Sequence, residues 1–311
     1  MTQKALKILA IGGANIDITG FSDEPIKMED SNPGKLQLCM GGVIRNITEN
    51  MHRLGLPIKM ITAIGDDLYG EKLIKHCQEI GIDISLSLIS KHYPSSTYLS
   101  IIDTNGDMIV AINNMEILSQ LTAEYFQMLK NEIEQSDIIL LDTNLNPQSI
   151  EYIVKTALGK IFLDTVSTKK AGKIKTFLSY LHTLKTNKIE AEVLSGIQID
   201  SVQTAYKAVN YFLKQGVKQV FISMGKAGVV FGDHNQSGHF LAENIKSINE
   251  TGAGDAFMAG IAHGFIQQLP LDQIARWASA ASILTSESEL TNHPDFSIQR
   301  LKNKLKQISS C

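Results

Sequence analysis

Short apolar runs alternate with longer amphipathic segments along most of the chain. The runs consist mainly of β-branched and aliphatic residues, as in strands that are buried on both faces of a parallel sheet. The predicted strands are Leu6–Ile11, Ile58–Ile64, Ile138–Leu141, Ile161–Leu163, Thr183–Thr186 and Gln219–Ser223. This alternation predicts an α/β fold, a three-layer αβα sandwich.

The segments between the apolar runs have the three-to-four-residue spacing of amphipathic helices. The predicted helices are Val43–Leu54, Tyr69–Ile80, Ala123–Ile133, Ser149–Ala157, Val202–Leu213, Ala253–Gln267, Asp272–Ser286 and Ser297–Lys306. We expect one domain over residues 1–311, because no linker or repeat interrupts the pattern.

Two stretches, about residues 16–40 and 84–113, depart from this pattern and have the period-two alternation of antiparallel strands. The second contains Asp103-Thr-Asn-Gly-Asp107, and Asn-Gly favours a tight hairpin. We expect the two stretches to pair as a small β-sheet lid over a substrate cleft. Such a sheet has an apolar face to bury, which predicts a homodimer through the lid.

Composition narrows the function classes. Hydrophobic residues make up 43% of the 311 residues, which is enough for a sizeable core. The net charge is −3 and the basic residues are scattered, so we expect no nucleic-acid partner. No apolar run reaches the roughly 20 residues that span a membrane, so we expect no membrane partner either. Three cysteines (Cys39, Cys77 and Cys311) without CxxC spacing favour a cytoplasmic setting.

The small-residue turn Gly252-Ala-Gly254 runs directly into an apolar helix. Its backbone N–H groups and the helix dipole favour an anion such as a phosphoryl group. Asp255, in the first helical turn, is placed to take a proton from an attacking hydroxyl group. The pattern indicates phosphoryl transfer to an alcohol. The alternative is an ordinary helix start stabilised by its aspartate.

A second pair of glycines, Gly41 and Gly42, opens the helix that carries Arg45 and Asn46. Asn15 and Asp17 follow the first strand, where side chains of open α/β sheets border the ligand crevice. These polar groups are candidates for binding sugar hydroxyls. Asn15 and Asp17 could instead form an Asx turn. Arg45 could contact the substrate or simply pair with Glu49 at i, i+4.

Two further sites lie after the later strands. Asn187 and Glu190 could hold the hydration shell of Mg²⁺, or could form a capping box. Ser223, Gly225 and Gly228 form a loop suited to nucleotide phosphates or ribose. No GxxxxGK[ST] sequence occurs, which excludes a P-loop nucleotide site.

With these sites in order, the chain resembles the ribokinase-like (PfkB) sugar and nucleoside kinase family over essentially its whole length. The resemblance implies an ATP-dependent kinase with Asp255 as catalytic base and the Gly252–Asp255 amides as anion hole. It implies sugar-binding roles for Asn15, Asp17, Gly42 and Asn46. It also implies ATP and Mg²⁺ as cofactors, with ATP-binding roles for Asn187, Ser223, Gly225, Gly228 and Gly254 and a magnesium role for Glu190, through water.

Within the family, several stretches resemble the pseudouridine kinases, including Asp30-Ser-Asn-Pro-Gly34, the segment from Gly41 to Glu49 and Asp164-Thr-Val-Ser167. The resemblance adds Ser31, Gly41 and Arg45 to the candidates for binding substrate. Ribokinases usually carry Gly-Lys-Gly-Ala-Asn after the first glycine pair, where Val43-Ile44-Arg45-Asn46 stands here. The departure favours a C-nucleoside over ribose. Tyr98, Asn113 and Asn114 are candidates for contacting base or ribose, or are solvated hairpin residues.

Many relatives place an aspartate where this chain has Asn249, two residues before the Thr-Gly-Ala-Gly-Asp sequence, and it helps to bind a monovalent cation. The neutral amide lacks that charge, which puts activation by K⁺ in doubt. Two alternatives remain open at this point. One is a ribokinase or another sugar or nucleoside kinase of the same family. The other is a non-catalytic ligand-sensing protein on the same fold.

Overall fold

The structure is a computed structural model that describes residues 6–241 and 248–309; residues 1–5, 242–247 and 310–311, among them Cys311, lie outside these ranges. In chain order the strands are β1 (Ile8–Ile11), β2 (Asn15–Ser22), β3 (Gly34–Gly41), β4 (Ile58–Ile61), β5 (Ala63–Gly65), β6 (Leu88–Ser90), β7 (Thr97–Ile102), β8 (Met108–Asn114), β9 (Ile138–Asp142), β10 (Lys160–Asp164), β11 (Thr183–Asn187), β12 (Gln219–Ser223), β13 (Val229–Asp233) and β14 (Ser237–Phe240).

The helices surround this framework. They are α1 (Val43–Arg53), α2 (Leu68–Ile80), α3 (Ala123–Met128), α4 (Lys130–Gln135), α5 (Pro147–Thr156), α6 (Thr168–Ala171), α7 (Lys188–Ser195), α8 (Val202–Lys214), α9 (Ala253–Ile266), α10 (Leu271–Ser286) and α11 (Ile298–Ser309). Within the described ranges, no helix is long and apolar enough to cross a membrane.

The main sheet has eight strands in the order β14-β13-β12-β11-β10-β9-β1-β4. Six strands of this sheet are parallel: β4, β1, β9, β10, β11 and β12. At the β12 edge, β13 and β14 continue the sheet as antiparallel strands. Because the parallel strands share one direction, the residues at their carboxyl ends meet along one edge of the sheet. Asp164 is in register with both Asp142 and Lys185, and Asn187 with Ser223.

Alternate residues of the buried strands face two different cores. On β9, Ile139 and Leu141 pack in the core that holds residues of α5 and α8. Ile138 and Leu140 pack in the opposite core with residues of α1, α9 and α10. The main sheet is therefore covered by helices on both faces, which confirms the predicted three-layer αβα sandwich.

A separate small sheet has the strand order β3-β2-β7-β8. β7 and β8 form the predicted hairpin, and the amide of Asp103 donates to the carbonyl of Asp107 across the turn. The register divides the side chains into two faces. One face carries polar groups, with Asp17 opposite both Cys39 and Tyr98, and Tyr98 opposite Asn113.

The other face of the small sheet is apolar, with Ile16 buried at one end and several large side chains exposed. It carries Leu36, Leu38, Leu99, Val110 and Ile112, which we call the apolar face. Asn114 lies on this side of β8, away from Asp17, because it is one residue beyond Asn113.

The observed elements differ from the predicted ones in several places. Residues 84–96 lie outside the small sheet, and Leu88–Ser90 pairs instead with Ala63–Gly65. The run 58–64 is therefore split into β4 and β5, which have different partners. The predicted helix 123–133 is divided at Leu129, whose backbone leaves helical geometry between α3 and α4. The strands β13 and β14 and the short helix α6 were absent from the prediction, and α7 is the helix expected to start at Asn187 and Glu190.

Candidate active site

The turn before α9 has the geometry expected of an anion-binding site. Gly252 has φ of 80°, a left-handed value that favours glycine, and a Cβ there would collide with the carbonyl of Thr291. In the described residues no side chain caps this helix, so Asp255 does not serve as its cap. The first-turn N–H groups of an α-helix have no partner within the helix. The amide of Ala253 donates to the carbonyl of Glu250 at 3.3 Å, which leaves the amides of Gly254 and Asp255 for an external anion.

A buried lysine stands beside this turn. Lys185, on β11, is 7% exposed, and a Cβ built on Gly254 would lie 2.8 Å from its Nζ. The same Nζ forms an ion pair of 2.8 Å with Oδ2 of the buried Asp164. Burial lowers the pKa of Lys185, but the negative charges of Asp164, Glu190 and Asp255 raise it further, so the pKa rises overall. The lysine therefore remains a cation at the edge of the sheet.

Asp255 is enclosed among these groups and is 8% exposed. Its Oδ2 accepts a hydrogen bond of 2.6 Å from Nδ2 of Asn46, on α1. Burial, and next the charge of Asp164, raise the pKa of Asp255 to about 7, although Lys185 and Asn46 act in the opposite direction. A carboxylate with a pKa near neutrality is suited to accept a proton under physiological conditions.

Arg45 lies one residue before Asn46 and is 1% exposed. Its Nη1 donates to Oε2 of Glu49 at 2.5 Å, so the i, i+4 ion pair that the sequence offered as an alternative to a substrate contact is present. Its Nη2 donates to the side-chain oxygen of Asn46 and, at 2.6 Å, to Oδ1 of Asn292. Burial would raise the pKa of Glu49, but the hydrogen bond to His76 and the charge of Arg45 hold it at about 2.

Asn15 and Asp17 meet the second glycine pair at the junction of β3 and α1. Nδ2 of Asn15 donates to Oδ1 of Asp17 at 2.5 Å. Burial raises the pKa of Asp17 to about 6, and the hydrogen bond from Asn15 opposes that rise. A Cβ on Gly41 would collide with the Asp17 carboxylate, and Gly42, with φ of 99°, caps α1. Two polar side chains and a bare backbone thus face one small space.

Ser31 is placed apart from this group. It lies exposed in the loop between β2 and β3, where its amide donates to the carboxylate of Asp30. The structure therefore does not bring Ser31 together with the other substrate-binding candidates.

Asn187 and Glu190 form the capping box of α7 that the sequence left as one alternative. Glu190 also accepts a hydrogen bond of 2.5 Å from Oγ1 of Thr165, the residue directly after β10. Both of its oxygens are thus engaged by protein donors. Within the described residues no group of three or more histidine, cysteine, aspartate or glutamate side chains could hold a metal ion. A Mg²⁺ ion would fit here only through its water ligands.

The loop after β12 lies beside Asn187 because Asn187 and Ser223 are in register. Ser223 Oγ donates to the carbonyl of Thr186 at 3.4 Å. Gly225 and Gly228 both have positive φ, 56° and 84°, and bracket a single 3₁₀ turn. The structure therefore brings the ATP-binding candidates Asn187, Ser223, Gly225 and Gly228 to one edge of the main sheet.

Asn249 is held by the backbone on both sides. Its Nδ2 donates to the carbonyl of Glu289 at 3.0 Å, and its Oδ1 accepts from the amide of Thr251 at 2.9 Å. The oxygen that could ligate a monovalent cation already has a hydrogen-bond donor.

Sequence reasoning missed Lys185 and the role of Asp164 as its partner. A signal was present, because a lysine within the otherwise uncharged strand Thr183–Thr186 needs a partner of opposite charge when it is buried.

Comparisons with known proteins identify the family of this chain. Residues 5–297 match the model of the pfkB family of carbohydrate kinases. The chain belongs to the PfkB family. A pseudouridine kinase of Escherichia coli K12 is 37% identical over 293 residues, covering 94% of both chains. This PfkB chain is therefore an ATP-dependent phosphotransferase, a sugar or nucleoside kinase.

Solved structures show the same ribokinase-like fold. A carbohydrate kinase from Agrobacterium tumefaciens superposes with a TM-score of 0.86 at 24% identity, covering 97% of this PfkB chain and 98% of that one. A ribokinase from Arabidopsis thaliana, solved with ribose and ATP, superposes with a TM-score of 0.84 at 20% identity, covering 97% and 99%. At these identities the likeness establishes the fold.

Proposed function

We propose that this PfkB kinase transfers the γ-phosphoryl group of ATP to the 5′-hydroxyl of pseudouridine. The observation that carries the chemistry is the buried Asp255 carboxylate, which lies at the start of α9 directly beyond the Gly252–Gly254 turn. The similarity to a pseudouridine kinase over 94% of both chains supports the acceptor. We regard residues 1–311 as one kinase domain, with the small sheet as a lid over the cleft.

Each reacting group has a candidate partner. Asn15, Asp17 and Asn46 hold the ribose with its 5′-hydroxyl toward Asp255, and the bare backbone of Gly41 and Gly42 permits close approach. Asp255 takes the hydroxyl proton as that oxygen bonds to the γ-phosphorus. The bond from phosphorus to the bridging oxygen breaks, and ADP leaves with the electron pair. Positioning and electrostatic stabilisation provide most of the catalysis in such transfers.

The nucleotide side of the site uses the edge of the main sheet. The amides of Gly252, Ala253, Gly254 and Asp255 stabilise charge on the transferred group, and the buried Lys185 cation lies beside them. Asn187, Ser223, Gly225 and Gly228 contact ATP. Glu190 contacts Mg²⁺ through water; when bound, the ion neutralises charge on the phosphates.

The polar face of the small sheet is the candidate for reading the base. Tyr98 lies opposite Asp17 on one side and Asn113 on the other, so both Tyr98 and Asn113 are on the face that bears Asp17. Asn114 is on the opposite side and is not a candidate in this arrangement. Ser31 would join the substrate only if its loop moved toward the cleft.

The apolar face of the small sheet supports a homodimer formed through the lid. Leu36 is 73% exposed and Ile112 is 64% exposed, in a patch that also contains Leu38. Exposed apolar patches of this kind are typical of subunit contacts. We expect Ile112→Glu to convert a dimer to a monomer in sedimentation-velocity ultracentrifugation, whereas the control Leu158→Glu, at an exposed position elsewhere, should leave it unchanged. A wild-type monomer at micromolar concentration would contradict the proposal.

We place the kinase in the cytoplasm. We expect little activation by K⁺, because the neutral Asn249 amide lacks the charge of an aspartate and its Oδ1 already accepts one hydrogen bond from the Thr251 amide. ADP release measured with and without K⁺, with Na⁺ as the matched salt, tests this expectation.

The acceptor is tested by ADP release from MgATP with pseudouridine, uridine, adenosine, ribose and fructose in parallel. Preference for pseudouridine by kcat/KM supports the proposal, with the phosphate located on the 5′-oxygen by ³¹P NMR. Preference for ribose or another nucleoside would refute pseudouridine as the acceptor and leave a kinase of the same family. Failure to use ATP with any acceptor would favour the ligand-sensing alternative.

A further inference from the structure

Arg45 is the largest of the fully buried side chains among the described residues. A guanidinium group only donates hydrogen bonds. Here both Nη groups meet protein acceptors, whereas Nε is buried without a hydrogen-bond partner among the described residues. Nη1 is bound by Glu49, and Nη2 by the Met40 carbonyl at 2.8 Å, by Asn292 and by Asn46. The charge and both Nη groups of Arg45 are thus used inside the protein, and the side chain is buried, which is a poor arrangement for a direct substrate contact.

The contact with Asn46 determines which end of that amide faces Asp255. Oδ1 of Asn46 accepts from Arg45, and Nδ2 donates to Asp255 at 2.6 Å. A flipped amide would place its NH₂ group against the guanidinium and its oxygen against the carboxylate. Both contacts would then be repulsive, because a guanidinium cannot accept and a carboxylate cannot donate. Asn292 also fixes the segment, since its Nδ2 donates to the Asn46 carbonyl at 3.0 Å.

We propose that Arg45 is a positioning residue, which orients the Asn46 amide so that it donates to the Asp255 carboxylate. The inference rests on the proposed role of Asp255 as the base. It replaces the expected direct contact between Arg45 and substrate with an indirect role.

Several charged groups face these residues and must be considered together. Asp255 is faced by Asp164 from β10, Lys185 from β11 and Arg45 from α1. Arg45 is faced by Glu49 and by His76, on α2, whose Nε2 lies 3.3 Å from Arg45 Nη1. Glu49 also pairs with Arg53 at 2.8 Å. The further groups affected by the Arg45 charge are Asp17, Cys39 and Cys77.

Loss of Arg45 should move the titration of Asp255 in a defined direction. The hydrogen bond from Asn46 and the charge of Arg45 both lower the pKa of Asp255. Without them the carboxylate should become protonated at higher pH. The acid limb of the kcat/KM profile should therefore move upward, by on the order of one pH unit, and activity should recover as the pH rises. A purely structural role would reduce activity equally at all pH values.

The test compares Arg45→Met with the matched control Arg53→Met. Arg53 is on the same helix and bonds the same Glu49, through Nε at 2.9 Å, and its Nη1 reaches the carbonyl of Pro294. We expect the acid limb to shift in Arg45→Met and to stay in place in Arg53→Met. An unshifted limb in Arg45→Met, or an equal shift in both variants, would overturn the inference.

A double variant tests whether the effect passes through Asn46. If it does, Arg45→Met should shift the limb much less in an Asn46→Ala background than in the wild type. Full additivity would overturn the indirect route.

If Arg45→Met is too unstable to assay, Arg45→Lys is the second variant. It keeps the charge near Glu49, but one ammonium cannot occupy both the Nη1 and the Nη2 positions. An unshifted limb in Arg45→Lys would equally refute the proposal.

The carboxyl ¹³C resonance of Asp255, assigned with Asp255→Asn, gives a readout that is independent of turnover. It should titrate at higher pH in Arg45→Met than in the wild type; an identical midpoint would overturn the inference. A wild-type protein without kinase activity would instead refute the proposed function, so the two failures are distinguishable.

Discussion

The ion pair between Lys185 and Asp164 provides the sharpest quantitative prediction. Both side chains are buried, and Nζ lies 2.8 Å from Oδ2. Lys185→Met leaves Asp164 as a buried charge that has lost its partner, with Asp255 nearby as a second negative group. Breaking a buried pair from one side typically costs about 3–5 kcal/mol of unfolding free energy. We expect a loss of that size in urea unfolding followed by circular dichroism at pH 8.

The pH dependence follows from the same charges. In the variant the pKa of Asp255, which is about 7 in the wild type, should rise further, because the Lys185 charge that lowers it is gone. This part of the destabilisation is present while Asp255 is ionised in the fold, and it decreases as the pH falls and Asp255 becomes protonated. The difference from the wild type should thus be larger at pH 8 than at pH 5.

The double variant Lys185→Met with Asp164→Asn is the internal control. It removes both charges, so it should be less destabilised than the sum of the two single variants. Exposed ion pairs contribute less than about 1 kcal/mol, so a loss of unfolding free energy that small in Lys185→Met would refute the description of this pair as buried. Strict additivity of the two changes would refute the coupling between the two charges.

Three further predictions concern the turn and the base. Asp255→Asn should lower kcat by about 10²–10⁴ while ATP affinity, measured by calorimetry, stays within a few-fold, and retained turnover would exclude this carboxylate as the base. In the wild type, kcat/KM should fall about tenfold per pH unit below about 7, because the pKa of Asp255 is about 7 and only its ionised form accepts a proton; a profile flat down to pH 5 would contradict this assignment. Gly252→Ala should impair folding or activity, because φ is 80° and the new Cβ meets the Thr291 carbonyl, whereas Gly172→Ala, with open space, should be nearly neutral by thermal unfolding and turnover.

Much of the fold could be predicted from the pattern of the chain. The apolar runs of β9 to β12 are bounded by polar residues, so their position and type follow from local composition. The elements that were missed or divided depend on their partners. β5 is distinguished from β4 because it pairs with β6, and β13 was passed over because its pairing with β12 is not encoded in its own short run.

The candidate site divides in the same way. The turn at Gly252–Gly254 and the glycine pair Gly41–Gly42 could be recognised because small residues before a helix form a contiguous signal. The meeting of Asn46 with Asp255 joins residues 209 positions apart, and that of Arg45 with Asn292 joins residues 247 apart. No periodicity in the chain indicates either contact.

The sequence by itself determined the layered α/β architecture, the small-residue turn before α9 and the family, because each depends on neighbouring residues or on fixed spacing along the chain. Only the tertiary structure decided that Lys185 stands beside the turn, that Arg45 is occupied within the protein, and that Tyr98 and Asn113 share a face with Asp17. The physical reason is that burial and pairing of charges are set by strand register and helix packing, which bring together residues that are far apart in the chain.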